Sequence, residues 1–168
     1  MKLIILGNSG AGKSTLSKKI IALLPMPRLS LDEVAFNVGS ERRPIEDSVN
    51  DVKRWISDKQ HWIIEGCYSE ILLPILDDAD ALVFLNPGVD ICIRHCQSRP
   101  WEPEKFSSKQ EQDDNLNNLI NWIRSYADRQ DEYGLTSHRA LFNAFNGKKR
   151  EFNHPDEYDD LLQFIQIK

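Results

Sequence analysis

Residues 7–15 read Gly-Asn-Ser-Gly-Ala-Gly-Lys-Ser-Thr, with Gly7, Gly12, Lys13 and Ser14 in the fixed places of G-x-x-x-x-G-K-[ST]. That spacing suits a nucleotide's phosphates for specific reasons. Glycines let the backbone curl closely round phosphate oxygens, with the amides turned inward as a nest. A helix starting at this point adds the positive end of its dipole. Lys13 can reach the β- and γ-phosphates, and the Ser14 hydroxyl can ligate Mg²⁺. The expected cofactors are ATP and Mg²⁺, held by Asn8, Ser9, Gly10, Ala11, Gly12, Lys13, Ser14 and Thr15.

Such a loop serves switches, motors and small-molecule kinases alike, so other residues must separate them. A base-reading N-K-x-D is missing, since "NGKK" at 146–149 lacks the aspartate. This argues against a GTPase. In "LSLDE", Asp32-Glu33 arrives directly after the first helix and its Pro-Met-Pro connection, too early for the acidic pair of a motor ATPase. Asp32 reads instead as a carboxylate at the mouth of the second strand. There it can bind Mg²⁺ through water or accept a hydrogen bond from a substrate hydroxyl; the plain alternative is a helix cap. In "HWIIEGCYS", Glu65-Gly66 follows the apolar Trp62–Ile64, at a carboxyl strand end where open α/β sheets bind ligands. Glu65 can hold metal-bound water or a substrate hydroxyl, and Gly66 lets substrate approach the backbone. A solvated strand end is the alternative for Glu65.

Phosphoryl transfer relies on positioning and cationic clamping. Arg94 and Arg99 flank a helix end before the polar stretch "SRPWEPEKFSSKQEQDD" at 98–114. A mobile cover carrying them would close over the phosphates and exclude water, although surface salt bridges would account for either. Arg42 and Arg43 are candidates for an anionic acceptor, with solvation of a helix start as the alternative. Cys92, His95 and Cys96 resemble a metal cluster, but zinc usually takes four ligands and no second Cys/His pair is close. Buried structural thiols are expected.

The elements that must position these residues follow from periodicity. Leu3–Leu6, Trp62–Ile64 and Ala81–Leu85 are continuous apolar runs, as in strands buried on both faces. Arg28–Leu31 is a weaker strand candidate, and Lys149–Phe152 a charged last one. Helices are expected over 14–24, 45–58, 70–76, 89–97 and 135–145, around Leu116–Ile123, and from Pro155 to the end. Strand and helix alternate without hairpin dipeptides, which implies a parallel sheet covered by helices in one α/β domain spanning 1–168. The 168 residues are 40% hydrophobic and 28% charged, with formal net charge −5. That balance suits a globular protein and argues against a dedicated nucleic-acid binder. Three cysteines make no disulfide framework, and no targeting peptide or membrane span is evident, so a cytoplasmic setting is expected.

"LIILGNSGAGKSTLSKKI", "LSLDEVAF", "WIIEGCYS" and "ADALVFLNPGVDICIRHCQSRP" together resemble the small phosphate-loop kinases of the adenylate kinase and shikimate kinase type. The pairing of Leu-Asp-Glu with Trp-Ile-Ile-Glu-Gly is most similar to a branch described as DNA topology modulation or adenylate-kinase-like. The resemblance covers most of residues 1–100. It implies a three-layer P-loop NTPase with a five-stranded parallel sheet in order 2-3-1-4-5 and a helical lid over about residues 94–127. It implies a metal or substrate role for Asp32, a substrate-loop position for Gly66, lid arginines at Arg94 and Arg99, and an adenine-flanking loop around Asn153-His154-Pro155. The chain departs from both types at "EGCYS", so neither shikimate nor a nucleoside monophosphate is supported as acceptor.

The expectation is phosphoryl transfer from Mg-ATP to a small-molecule acceptor. Lys13, Asp32, Arg94 and Arg99 would be catalytic, Ser14 and Asp32 would face the metal, and Asp32, Arg43, Glu65 and Gly66 would face the acceptor. A regulatory or nucleic-acid-associated ATPase acting with a partner, and a nucleotide-binding module without turnover, are the other readings.

Overall fold

The computed structural model describes residues 1–37, 41–103 and 107–165. Five strands, β1 (Lys2–Gly7), β2 (Arg28–Ser30), β3 (Trp62–Gly66), β4 (Ala81–Leu85) and β5 (Lys148–Phe152), form one parallel sheet in the order β2-β3-β1-β4-β5. This is the expected order and the fold of phosphate-loop kinases.

Strand alternation explains why β1, β3 and β4 are apolar throughout: each face meets its own helical layer. Ile4, Leu6, Ile64 and Phe84 pack with Val49 and Val52 of α3 (Ile45–Ile56), Ile71 of α4 (Ser69–Leu72) and Leu141 of α7 (Leu135–Ala144). Leu3, Ile5, Ile63 and Val83 pack on the opposite face. There they meet Leu16 and Ile20 of α1 (Lys13–Leu23), Cys92 and Cys96 of α5 (Val89–Gln97), Ile123 of α6 (Lys109–Arg124) and Leu161 of α8 (Leu161–Ile165). The two thiols of "CIRHC" are buried in that layer. The parallel register places Gly7 beside Leu85, Leu6 beside Gly66, and Ser30 beside Glu65, so the loops that follow these strands gather at one sheet edge.

Several expected elements shift. A short helix, α2 (Asp32–Ala35), begins one residue beyond Leu31, so Asp32 opens a helix instead of ending a strand. The polar stretch at 98–114 becomes helical from Lys109, because Ser108 caps α6 by accepting from the Glu111 amide at 3.1 Å. Residues 104–106 of it lie outside the described residues. The segment entered at Pro155 runs as a 3-10 turn to Asp160 before α8. No helix among the described residues is long and apolar enough to cross a membrane.

One buried histidine locks α7 to the end of β3. His138 is fully buried, with Nε2 2.8 Å from the Cys67 carbonyl and Nδ1 2.8 Å from the Tyr126 hydroxyl. A carbonyl only accepts, so Nε2 carries the proton and Nδ1 accepts from tyrosine, a neutral tautomer. Burial pushes the imidazole down to about 4. The unfolded chain takes up this proton near pH 6.5 and the folded chain only near the lower value, so stability is complete above that window. It falls as pH drops through it, by about 3 kcal/mol in all. Urea unfolding at pH 7.5 and 4.5 should show this loss, and His138→Gln should remove most of the difference between the two pH values.

Candidate functional site

The loop between β1 and α1 is shaped by two residues in left-handed backbone, Gly10 at φ 78 and Gly12 at φ 96. A side chain at Gly10 would also strike the Cys92 carbonyl, since a Cβ there would lie 2.3 Å from its oxygen. Two ties hold the loop from outside. His95 Nδ1 donates to the Gly10 carbonyl at 2.7 Å, and the Tyr158 hydroxyl donates to the Ala11 carbonyl at 2.8 Å. A trans peptide directs its N–H opposite its C=O, so the Gly12 amide is turned away from Tyr158.

Helix α1 has no side-chain cap and no acidic residue in its first turn. Its leading amides are therefore not answered by the chain's own carboxylates, which is the condition an anion needs at a helix start. Lys13 folds back over the loop, with Nζ 2.9 Å from the Asn8 carbonyl. Asn8 is buried, and its Oδ1 accepts from the Ser9 amide at 2.8 Å. Thr15 is exposed. These features fit a polyphosphate and its lysine.

Behind the loop lies a buried carboxylate. Glu65, 2% exposed, accepts through Oε1 from Ser14 Oγ at 2.8 Å and from Arg28 Nη2 at 2.5 Å. Arg28 Nε donates to Ser17 Oγ at 2.8 Å, and that hydroxyl donates to the Ser14 carbonyl at 3.0 Å. The strand next to β1 thus delivers a carboxylate to the hydroxyl expected to ligate metal. Oxygen donors of this kind, a hydroxyl and a carboxylate, fit Mg²⁺.

A cavity of about 580 Å³ has Ser9 of the loop in its lining. Asp32 and Tyr68 share its wall, with the Tyr68 hydroxyl donating to Asp32 Oδ1 at 2.6 Å. Burial, reinforced by Cys67 and Asp32, pushes the phenol far up, so it remains a donor. Aromatic rings continue the wall: Tyr68 meets Phe36 at 6.2 Å and Tyr133 at 5.4 Å, and Tyr133 meets Trp122 at 5.6 Å. Arg99 and several residues of α6 also line it.

The structure does not gather every residue singled out from the sequence. Arg94 is exposed on α5 and does not line the cavity. Arg43 donates to the Val34 carbonyl and to Asp51 at 2.7 Å, which ties α2 to α3. Gly66 packs under Leu31, where a Cβ would lie 2.8 Å from the leucine Cβ. In the 153–155 loop, Asn153 donates its amide to Glu157 and His154 accepts from the Asp156 amide. Arg28, Tyr68, Trp122 and Tyr133 were not singled out for the site. Arg28 opens the short strand Arg-Leu-Ser, and its only sequence signal is a cation at a strand that pairs with β3. Tyr68, two residues past the end of β3, sits where sheet ligands bind.

No protein-family model matches the chain, and no curated protein matches it in sequence. Among solved structures it is similar to a deoxyadenosine kinase from M. mycoides with bound dATP. The two share 12% sequence identity with a TM-score of 0.52, over 97% of this chain and 97% of the other. At that identity the likeness concerns the fold, a phosphate-loop kinase sheet with its flanking helices.

The Glu65 network yields a stability prediction. Arg28→Met leaves a buried carboxylate without its counter-charge and should cost about 3 kcal/mol in denaturant unfolding, with Arg28→Lys recovering part of it.

Proposed function

We propose that the chain is an ATP-dependent small-molecule kinase. The observation that carries this reading is the position of the cavity. It opens on Ser9 of the phosphate loop and carries the Asp32–Tyr68 pair on its wall. An ATPase that only hydrolyses has no need of a ring-lined chamber of that size beside the γ-phosphate position.

The roles follow from the geometry. The loop amides and Lys13 bind the phosphates, Lys13 exchanging the Asn8 carbonyl for phosphate oxygen. Ser14 with Glu65 would hold Mg²⁺, with Asp32 as the second acidic group on the acceptor side. Mg²⁺, when bound, neutralises charge shared by the β- and γ-oxygens. Asp32 accepts the proton of the acceptor hydroxyl, and Tyr68 fixes which carboxylate oxygen faces it. Arg99, exposed and lining the cavity, clamps the transferring group. Atoms balance: the hydroxyl oxygen bonds to the γ-phosphorus, the β,γ-bridge bond breaks, and ADP departs with the bonding pair.

Lys13→Ala should abolish turnover. Asp32→Asn should retain ATP binding and lose roughly a hundredfold in rate. Phosphorus NMR of Mg-ATP with purified protein and a mixed pool of metabolites reads both. A Lys13-dependent phosphoester signal is the expected result. Lys13-dependent inorganic phosphate alone would instead mark an ATPase that acts with a partner, and undiminished turnover in Asp32→Asn would remove that residue from the mechanism.

A further inference from the structure

We propose that Arg28 serves as a resident cation for Glu65. It lets the phosphate loop fold without metal, and it confines Mg²⁺ binding to the nucleotide complex. The proposal rests on the kinase reading only for the place of Mg²⁺ at Ser14 and Glu65, and its test needs no turnover.

Strand alternation brings the two charges together. Leu29 packs with α3 on one face of the sheet, so Arg28 points to the other, where Ile63 meets α1. The register sets Arg28 beside Ile63 and Ser30 beside Glu65, so the arginine starts two residues short of the carboxylate and reaches along the sheet to it. Nη2 donates to Glu65 Oε1 at 2.5 Å, and Nε donates to Ser17 Oγ at 2.8 Å. Ser17 is fully buried and donates onward to the Ser14 carbonyl at 3.0 Å. The Ser14 hydroxyl donates to the same Glu65 oxygen at 2.8 Å. One guanidinium therefore reaches both the hydroxyl and the carbonyl of Ser14, each through one intermediary. That takes a planar fork, which a lysine lacks.

The consequence is electrostatic. A carboxylate 2% exposed needs a counter-charge. A divalent ion would serve, but it arrives and leaves with nucleotide, whereas the guanidinium stays. With Arg28 in contact, Glu65 has little net charge left to attract a metal ion, and the guanidinium repels one at short range. The balance shifts when a polyphosphate brings its own negative charge to the loop. Ser14 is prepared for that event, because its proton is engaged by Glu65 and its lone pairs are left over. Arg28 orients Glu65, Glu65 orients Ser14, and the set holds metal only together with polyphosphate.

The test compares the full chain with Arg28→Gln, which keeps a donor but loses the charge, and with Arg28→Lys, which keeps the charge. Thermal unfolding is followed with and without millimolar Mg²⁺, and Mn²⁺ binding by electron paramagnetic resonance with and without ADP. Without nucleotide, Mg²⁺ should leave the wild-type midpoint unmoved, and Mn²⁺ should bind only at millimolar concentration. In Arg28→Gln the same Mg²⁺ should raise the midpoint, because the ion takes the place of the guanidinium. Its nucleotide-free Mn²⁺ affinity should rise roughly tenfold or more. Arg28→Lys should behave as the wild type does towards metal. Adding Glu65→Gln to Arg28→Gln should abolish the metal response, which places the ion at this carboxylate. Micromolar Mn²⁺ binding by the wild type without nucleotide overturns the proposal, whatever the variants do. So does an Arg28→Gln chain that Mg²⁺ fails to stabilise, folded or not. If the metal responses appear while no phosphoester ever forms, the kinase reading falls and this one stands. Phosphoester formation by a wild type that binds Mn²⁺ tightly on its own would do the reverse.

Discussion

A single buried oxygen, Glu65 Oε1, joins the sheet to the phosphate loop. It accepts from Ser14 at the start of α1 and from Arg28 on β2, so one carboxylate fixes two strands and a helix relative to each other. A charge this deep is costly unless it is paired and hydrogen-bonded. The pairing therefore makes positions interdependent: move β2 and Arg28 leaves, and Glu65 then pulls on Ser14. The site's stiffness rests on electrostatics at its back, and its openness at the front rests on glycine.

Around that anchor the molecule divides its charges by distance from the loop. Amide groups and a cation gather at Lys13 and the first turn of α1, and a carboxylate with aromatic rings at Asp32, Tyr68 and Trp122. Ser9 belongs to the loop and also lines the cavity.

The sheet and the loop were legible from sequence because both are written locally. Continuous apolar runs announce strands covered on two faces, and glycine with lysine and serine at fixed spacing announces the phosphate turn. The cavity was not legible, for a physical reason. Its wall joins Phe36, Tyr68, Trp122 and Tyr133, which are far apart in the chain and share no period. Arg43 shows the converse. In sequence it is a candidate for an anionic acceptor, yet Asp51 on α3 claims it. Helix α6 was only half visible, since its polar first turns obscure the Ser108 cap that starts it.

Two of the loop's carbonyls are held by residues remote in sequence, Gly10 by His95 and Ala11 by Tyr158, separations of 85 and 147 residues. Contacts so distant form late, after closing long segments of chain. Tyr158 lies beyond β5, so the shape of the loop after β1 depends on elements that pack against the opposite end of the sheet order.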